Sequence, residues 1–266
     1  MNTNYSVQRS IGGASLICLS TILMAGVCSA ATDPAAEAAD LWDVQIGFPL
    51  WASGLEGEVG VRNRSAEVDD GFDDIFDTLD FLVPLNLEVR YSHHWLFFAN
   101  TMYLETTTDA QPGRLLGAIG VDEVQLKQKE LQSDFGIGYN LFPYKAVRLE
   151  PFIGGRVTSL DAELSLAVPG PNPEFDDSKT WVDPIIGFMF KFPAGKTFAL
   201  FAEADIGGFG VSSDLTWQVN AGGELSLGKH FYSRLTYRHR EIDYEDDGFI
   251  YDVKMSGPQL EFGFRF

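Results

Sequence analysis

From residue 41 to the C-terminus, apolar and polar side chains alternate with a period of two, the mark of strands with one apolar face. Over 81–91, Phe81, Val83, Leu85, Leu87, Val89 and Tyr91 share a face, and Pro84, Asn86, Glu88 and Arg90 share the other. Over 215–227, Leu215, Trp217, Val219, Ala221, Leu225 and Leu227 oppose Thr216, Gln218, Asn220, Glu224 and Ser226. Segments 41–52, 130–141, 147–157, 182–192 and 197–208 alternate likewise, and 95–105 is strand-like with either parity open. Adding 230–244 and 249–266 gives ten strands. In the last strand the apolar set Phe249, Tyr251, Val253 and Met255 has the opposite parity to Leu260, Phe262, Phe264 and Phe266. This predicts a β-bulge at 256–258, where Pro258 lacks an N–H. A second slip is predicted near Arg240 and Glu241, where Leu235 and Tyr237 give way to Ile242 and Tyr244.

The connections alternate in length. Those at 92–94, 143–146, 193–196 and 228–230 are tight; those at 53–78, 108–120, 166–178 and 245–248 are mostly long or acidic, with one short member at 211–213. Short turns on one side and larger loops on the other are the asymmetry of an outer-membrane barrel. The predicted fold is therefore all-β: a transmembrane, antiparallel, up-and-down barrel of ten strands over 41–266, with eight or twelve as neighbouring counts. An even count places both termini on the periplasmic side. In the first outer loop, Phe72, Ile75, Phe76 and Leu79 have the spacing of one helical face. They predict a two-turn helix at about 71–79, lying as a lid on the barrel mouth, after a short hairpin formed by 57–61 and 66–68.

The N-terminus adds a location. A polar start with Arg9 leads into an apolar run from Ile11 to Val27 and then small residues to Ala30. This is the order of a secretory signal peptide, expected over 1–30, followed by a periplasmic lead-in over 31–40. Both cysteines, Cys18 and Cys28, fall inside the signal, so thiol chemistry and Cys-ligated zinc are not expected in the exported chain. The formal net charge is −19, which argues against nucleic acid as a partner.

Alternation does not say which face meets lipid. A soluble barrel would bury the apolar face inward. Two features favour lipid outside: the polar face is rich in small neutral residues, and aromatics gather at the short-turn ends. These are Trp42, Tyr91, Trp95, Tyr139, Phe192, Phe198, Phe231 and Phe266. The polar face then lines the lumen. Glu88, Glu130, Glu150, Glu203 and Asp205 are expected there, with Arg90, Arg148, Arg156, Arg234 and Arg238 among their partners, because unpaired charge in a narrow interior is costly. Asp134, Glu224, Glu261 and Arg240 share that face.

The chain ends Leu260-Glu261-Phe262-Gly263-Phe264-Arg265-Phe266. A terminal Phe with apolar residues at every second position resembles the signal that outer-membrane barrels present to their assembly machinery. Trp181-Val182-Asp183-Pro184, the stretch from Gly207-Gly208-Phe209-Gly210 to Asp214-Leu215-Thr216-Trp217, and Ser256-Gly257-Pro258 resemble a family of largely uncharacterised Gram-negative outer-membrane barrels. The likeness runs from about 42 to 266, and its architecture is similar to the opacity-protein and OmpA-type small barrels. It implies fold and location but carries no chemistry.

Candidate chemistry is sparse. Asp69, Asp70, Asp73 and Asp74 form a dense acidic run without the spacing of an EF-hand. Their expected use is weak divalent-cation bridging to lipopolysaccharide phosphates. A lipid-modifying enzyme would need His and Ser together near one interface. No His-x-Ser pair occurs; His93, His94 and His230 sit in periplasmic turns, and His239 lies within a strand on the lipid face, followed by Arg240-Glu241, so the chain is not expected to be an enzyme. No cofactor is expected. The expected function is structural or surface-interacting, with a mostly filled lumen and an acidic outer rim; the alternative is a narrow channel for small solutes. The expected partners are outer-membrane lipid, lipopolysaccharide and the assembly machinery, and the expected state is a monomer.

Overall fold

A computed structural model describes residues 41–61, 64–110, 123–143, 146–167 and 174–266. The expected signal peptide and lead-in lie outside the described residues. The strands are β1 (Trp42–Trp51), β2 (Gly54–Val61), β3 (Arg64–Asp70), β4 (Leu79–Tyr91), β5 (Trp95–Ala110), β6 (Glu123–Tyr139) and β7 (Arg148–Ala167). They continue with β8 (Glu174–Pro193), β9 (Phe198–Gly208), β10 (Leu215–Ser226), β11 (Phe231–Asp246) and β12 (Phe249–Arg265). A short helix, α1 (Phe72–Asp77), joins β3 to β4.

The strands from β4 to β12 pair antiparallel in sequence order, and β1 closes the wall between β4 and β12. β1 and β2 keep one register against β12: Trp51 lies opposite Gln259 and Gly54 opposite Ser256. They form a single wall strand, so the closed barrel has ten. β3 is an additional arm on β2. Both ends of the described chain lie together, with Val44 and Phe266 exchanging two backbone hydrogen bonds.

The apolar face is outside. Leu200, Ile206, Val219, Leu225, Leu235 and Phe262 are exposed, while Gln45, Asn86, Gln132, Gln218 and Glu224 are buried. On β5 the even positions face inward, as buried Leu96 and Phe98 show. Aromatic rings pair across strands at the short-turn end: Trp42 with Tyr91 at 4.5 Å and Trp95 with Tyr139 at 5.2 Å between centroids. Such amphipathic rings suit a headgroup boundary.

The two predicted slips do not occur. β11 and β12 pair without interruption from Phe231 opposite Phe264 to Asp246 opposite Phe249. Ile242, Tyr244, Tyr251, Val253 and Met255 point inward and pack with Trp181, whereas Leu235, Tyr237, Leu260, Phe262 and Phe264 point outward. The register is continuous; the medium outside changes. Lower on the wall the outer face meets lipid. Above the lipid band it meets water, so the apolar side chains move to the inside.

α1 spans only six residues. Phe72 and Phe76 are both exposed, with their rings 5.7 Å apart. These two rings are therefore not covered by the barrel; the Ile75 side chain lies outside the described residues.

Candidate functional sites

The barrel interior brings many of the expected charges together. Register places Asp134 opposite Arg156, and Arg156 opposite Asp183. The Asp134 carboxylate accepts Arg156 Nε at 2.8 Å and Nη2 at 3.2 Å, and it is also bonded by Arg240. Arg156 reaches on to Asp205 at 2.9 Å and to Thr216 at 2.8 Å. Arg240 donates further to Gln132 and Gln218. Arg156 and Arg240 are almost wholly shielded from solvent.

Nearer the short turns lies a second cluster. Arg90 grips Glu150 through two hydrogen bonds of 2.8 and 2.9 Å and pairs with Glu88 at 2.8 Å. Arg234 contacts Glu88, Glu224 and Glu261 at 3.0–3.5 Å. Glu224 also takes Lys191 and Arg265.

Other expected members have different partners. Arg148 pairs with Asp43 at 3.2 Å. Glu203 is approached by the Gln218 amide at 3.4 Å. Arg238 donates to Gln218 and Gln259 and lies over the Trp51 ring. Glu130 takes the Tyr251 hydroxyl at 3.1 Å and the Gln132 amide, rather than an arginine. Asp134, Arg240, Glu224 and Glu261 carry as much of the network as the residues singled out from sequence.

The acidic run is described only in part. Asp69 and Asp73 are exposed, and the side chains of Asp70 and Asp74 lie outside the described residues. Among the described residues no group of three or more His, Cys, Asp or Glu side chains is arranged to hold a metal ion. Leu260, Phe262, Phe264 and Phe266 form an exposed outward row on the last strand. Among the residues behind the family resemblance, Trp181 and Asp183 act structurally. Asp183 accepts both the N–H and the hydroxyl of Ser213, and Trp181 donates its indole N–H to that same hydroxyl while stacking on Tyr244. They secure the turn after β9, where Gly208, Phe209 and Gly210 all have positive φ.

On the outer wall the structure assembles a group that was not anticipated. His239 and Ser256 lie opposite each other on β11 and β12. They form a non-hydrogen-bonded pair, because Arg265 N–H bonds His230 and the bonding alternates from there; side chains are closest at such pairs. Ser256 Oγ is 2.5 Å from His239 Nδ1, and Glu241 Oε1 is 3.1 Å from His239 Nε2. The Trp217 indole N–H donates to Glu241 Oε2 at 3.2 Å. A His-x-Ser spacing along one strand does not describe this pair, which spans two strands. The signal lay in the tight turn: Asp247 and Gly248 both have positive φ, as a two-residue hairpin requires. Counting back from that turn sets 239 opposite 256.

No protein-family model matches this chain, and no curated protein does. Among solved structures, the outer-membrane protease OmpT from Escherichia coli matches with a TM-score of 0.50 and 10% identity, over 85% of this chain and 97% of that one. The translocator domain of the autotransporter NalP from Neisseria meningitidis matches with a TM-score of 0.49 and 12% identity, over 85% and 88%. Identities this low speak for the fold alone. The fold is that of the Gram-negative outer-membrane β-barrels. The expectation that the chain is not an enzyme does not stand: OmpT is a protease with this architecture, so the barrel gives no ground for excluding catalysis. The missing His-x-Ser pair gives none either, since His239 and Ser256 meet across two strands.

Proposed function

We propose that this protein is an outer-membrane barrel with a closed lumen that works at its outer wall and extracellular rim rather than by passing solutes through its interior. The observation that carries this reading is the interior plug. Arg156 and Arg240 converge on Asp134, and their remaining donors go to Asp205, Thr216, Gln132 and Gln218 across the lumen. Buried apolar side chains pack above this plug around Trp181, and below it around Leu96, Phe98 and Phe152. A ten-stranded barrel lies close to the size that side chains can fill.

In this reading the chain is exported with its signal removed near Ala30, and the row Leu260, Phe262, Phe264 and Phe266 is the segment read by the assembly machinery. Outer-membrane lipid, lipopolysaccharide included, surrounds it, and it needs no second copy of itself. Exposed Asp69 and Asp73 support a solvated acidic rim. The test is single-channel conductance of the refolded protein in a planar bilayer. A closed lumen gives no discrete openings; regular openings that vary with solute size would replace this reading with the narrow channel.

A further inference from the structure

We propose that Ser256, His239 and Glu241 form a hydrolytic site on the outer wall that cleaves ester-linked acyl chains of outer-leaflet lipids. The proposal deepens the reading of a barrel that works at its outer wall, but it stands on the side-chain geometry and not on the closed lumen.

The height of the group on the wall sets the substrate class. Outward positions on β11 run Phe231, Ser233, Leu235, Tyr237, His239, Glu241, Asp243 and Glu245. On β12 they run Phe264, Phe262, Leu260, Pro258, Ser256, Lys254 and Asp252. Both rows turn from apolar to polar at the same level, between Tyr237 and Glu241 on one strand and between Leu260 and Lys254 on the other. His239 and Ser256 sit at that boundary, at the end remote from the periplasmic turns. There the acyl chains of the outer leaflet meet their headgroups, so an ester carbonyl lies at the height of Ser256.

The group holds the nucleophile, the base and the orienting carboxylate of acyl transfer to water. A neutral imidazole donates from one nitrogen and accepts at the other. Nε2–H donated to Glu241 leaves Nδ1 to accept the Ser256 hydroxyl proton. Glu241 is held in place by the Trp217 indole N–H, and Lys254 lies opposite it with Nζ 3.9 Å away. Ser256 Oγ attacks the ester carbonyl as its proton passes to His239. The tetrahedral intermediate collapses, the C–O bond to the lipid alcohol breaks, and His239 returns the proton to that alcohol. Water, deprotonated by His239, then attacks the acyl-serine; the C–O bond to Ser256 Oγ breaks, His239 returns the proton to that oxygen, and the fatty acid is released. Lys254, two residues from Ser256 on the same face, supplies the nearby positive charge for the oxyanion. On the far side of Ser256 the cross-strand neighbour is Gly54, which has no side chain to cover it. Ser256 and His239 are the catalytic residues, and Glu241 is a positioning residue.

The test uses the full chain refolded in detergent micelles, with heat-modifiable gel migration to show that each variant folds. Fatty-acid release is measured from phospholipid micelles and, separately, from lipopolysaccharide; the arm that responds identifies the source of the ester. A fluorophosphonate probe followed by peptide mapping reports the nucleophile independently. The proposal expects release in at least one arm and labelling at Ser256. It expects loss of both in Ser256→Ala, and release lowered on the order of 10²-fold or more in His239→Asn, the range for a lost general base. Glu241→Gln should lower kcat with KM unchanged, and Glu241→Asp should restore part of it. Absence of release from both lipids, absence of labelling at Ser256, or release from folded Ser256→Ala equal to wild type each overturns the proposal. A conducting lumen found in the bilayer experiment would leave these measurements unaffected.

Discussion

Pro49 and Pro84 occupy the next hydrogen-bonding step after Gly47 and Asn86 on β1 and β4, and neither has an N–H to give. Val44 bonds toward β12 and Leu41 toward β4, through Phe266 and Ser92 respectively, so odd residues of β1 bond toward β4. Continuing the register from Gly47 opposite Asn86 sets 49 opposite 84, and no β1–β4 pair lies beyond Gly47 among the described residues. The wall has a seam there because both donors are missing. In Pro49→Ala/Pro84→Ala the two restored amides should exchange slowly with deuterium. Stability should change little. Each new bond contributes ~1 kcal/mol, while each lost proline costs ~0.4–1 kcal/mol through the unfolded chain. Fast exchange at both positions would show that something other than the prolines holds the seam open.

Arg156→Met should destabilise the barrel by roughly 3–5 kcal/mol, because Asp134 and Asp205 lose a buried partner. Arg238→Ala should cost less. Its hydrogen bonds go to the neutral Gln218 and Gln259, and its nearest carboxylate, Asp134, is 3.9 Å away. The midpoint of heat-modifiable gel migration compares the two, and an equal loss would place the weight of the plug elsewhere.

Gly263→Ala tests the packing at the closing strands. A Cβ at this position would lie 2.4 Å from the Tyr232 ring. The ring cannot move freely, because its hydroxyl donates to Glu261 at 2.6 Å. The substitution should cost ~1–3 kcal/mol as overpacking and lower the refolding yield. Tyr232→Leu in the same chain should recover part of the loss, and a strictly additive double variant would show that the two residues are not in conflict.

Asp243 lies above the lipid band. Partial burial, reinforced by Asp252, Asp214 and Glu245, raises its pKa above the ordinary carboxylate value. A raised folded-state pKa means that the folded state binds a proton more tightly than the unfolded chain. Stability is then lost as pH rises through that pKa, and it is fully present below the unfolded value. Asp243→Asn should therefore raise the unfolding midpoint at neutral pH, and the difference should vanish in acid. A difference of the same size at both pH values would remove the electrostatic explanation.

Deleting Phe266 removes the last ring of the outward row on β12. Outer-membrane yield should fall, while protein refolded in detergent keeps its heat-modifiable migration. Equal yields for the deletion and the wild type would count against a role for this row in assembly.

The sequence by itself determined the strands, their order and the face that meets lipid in the lower wall. Alternation at Phe81 to Tyr91 or Leu215 to Leu227 has one cheap solution when lipid lies outside and a narrow lumen inside. It also determined most of the lumen charges, since Glu88, Arg90, Arg156 and Arg234 fall on the polar parity of their strands. The tertiary structure decided what lies opposite what. Asp134 meets Arg240 across the lumen, and Glu130 meets Tyr251, through the curvature of the closed wall. His239 meets Ser256 through a register that only the whole hairpin sets. The apparent slips in the last two strands have the same origin. A period of two fixes that neighbours alternate, but it does not fix which side is apolar. Tyr251 and Phe262 point to opposite sides of one unbroken strand because the medium outside the wall changes from water to lipid between them.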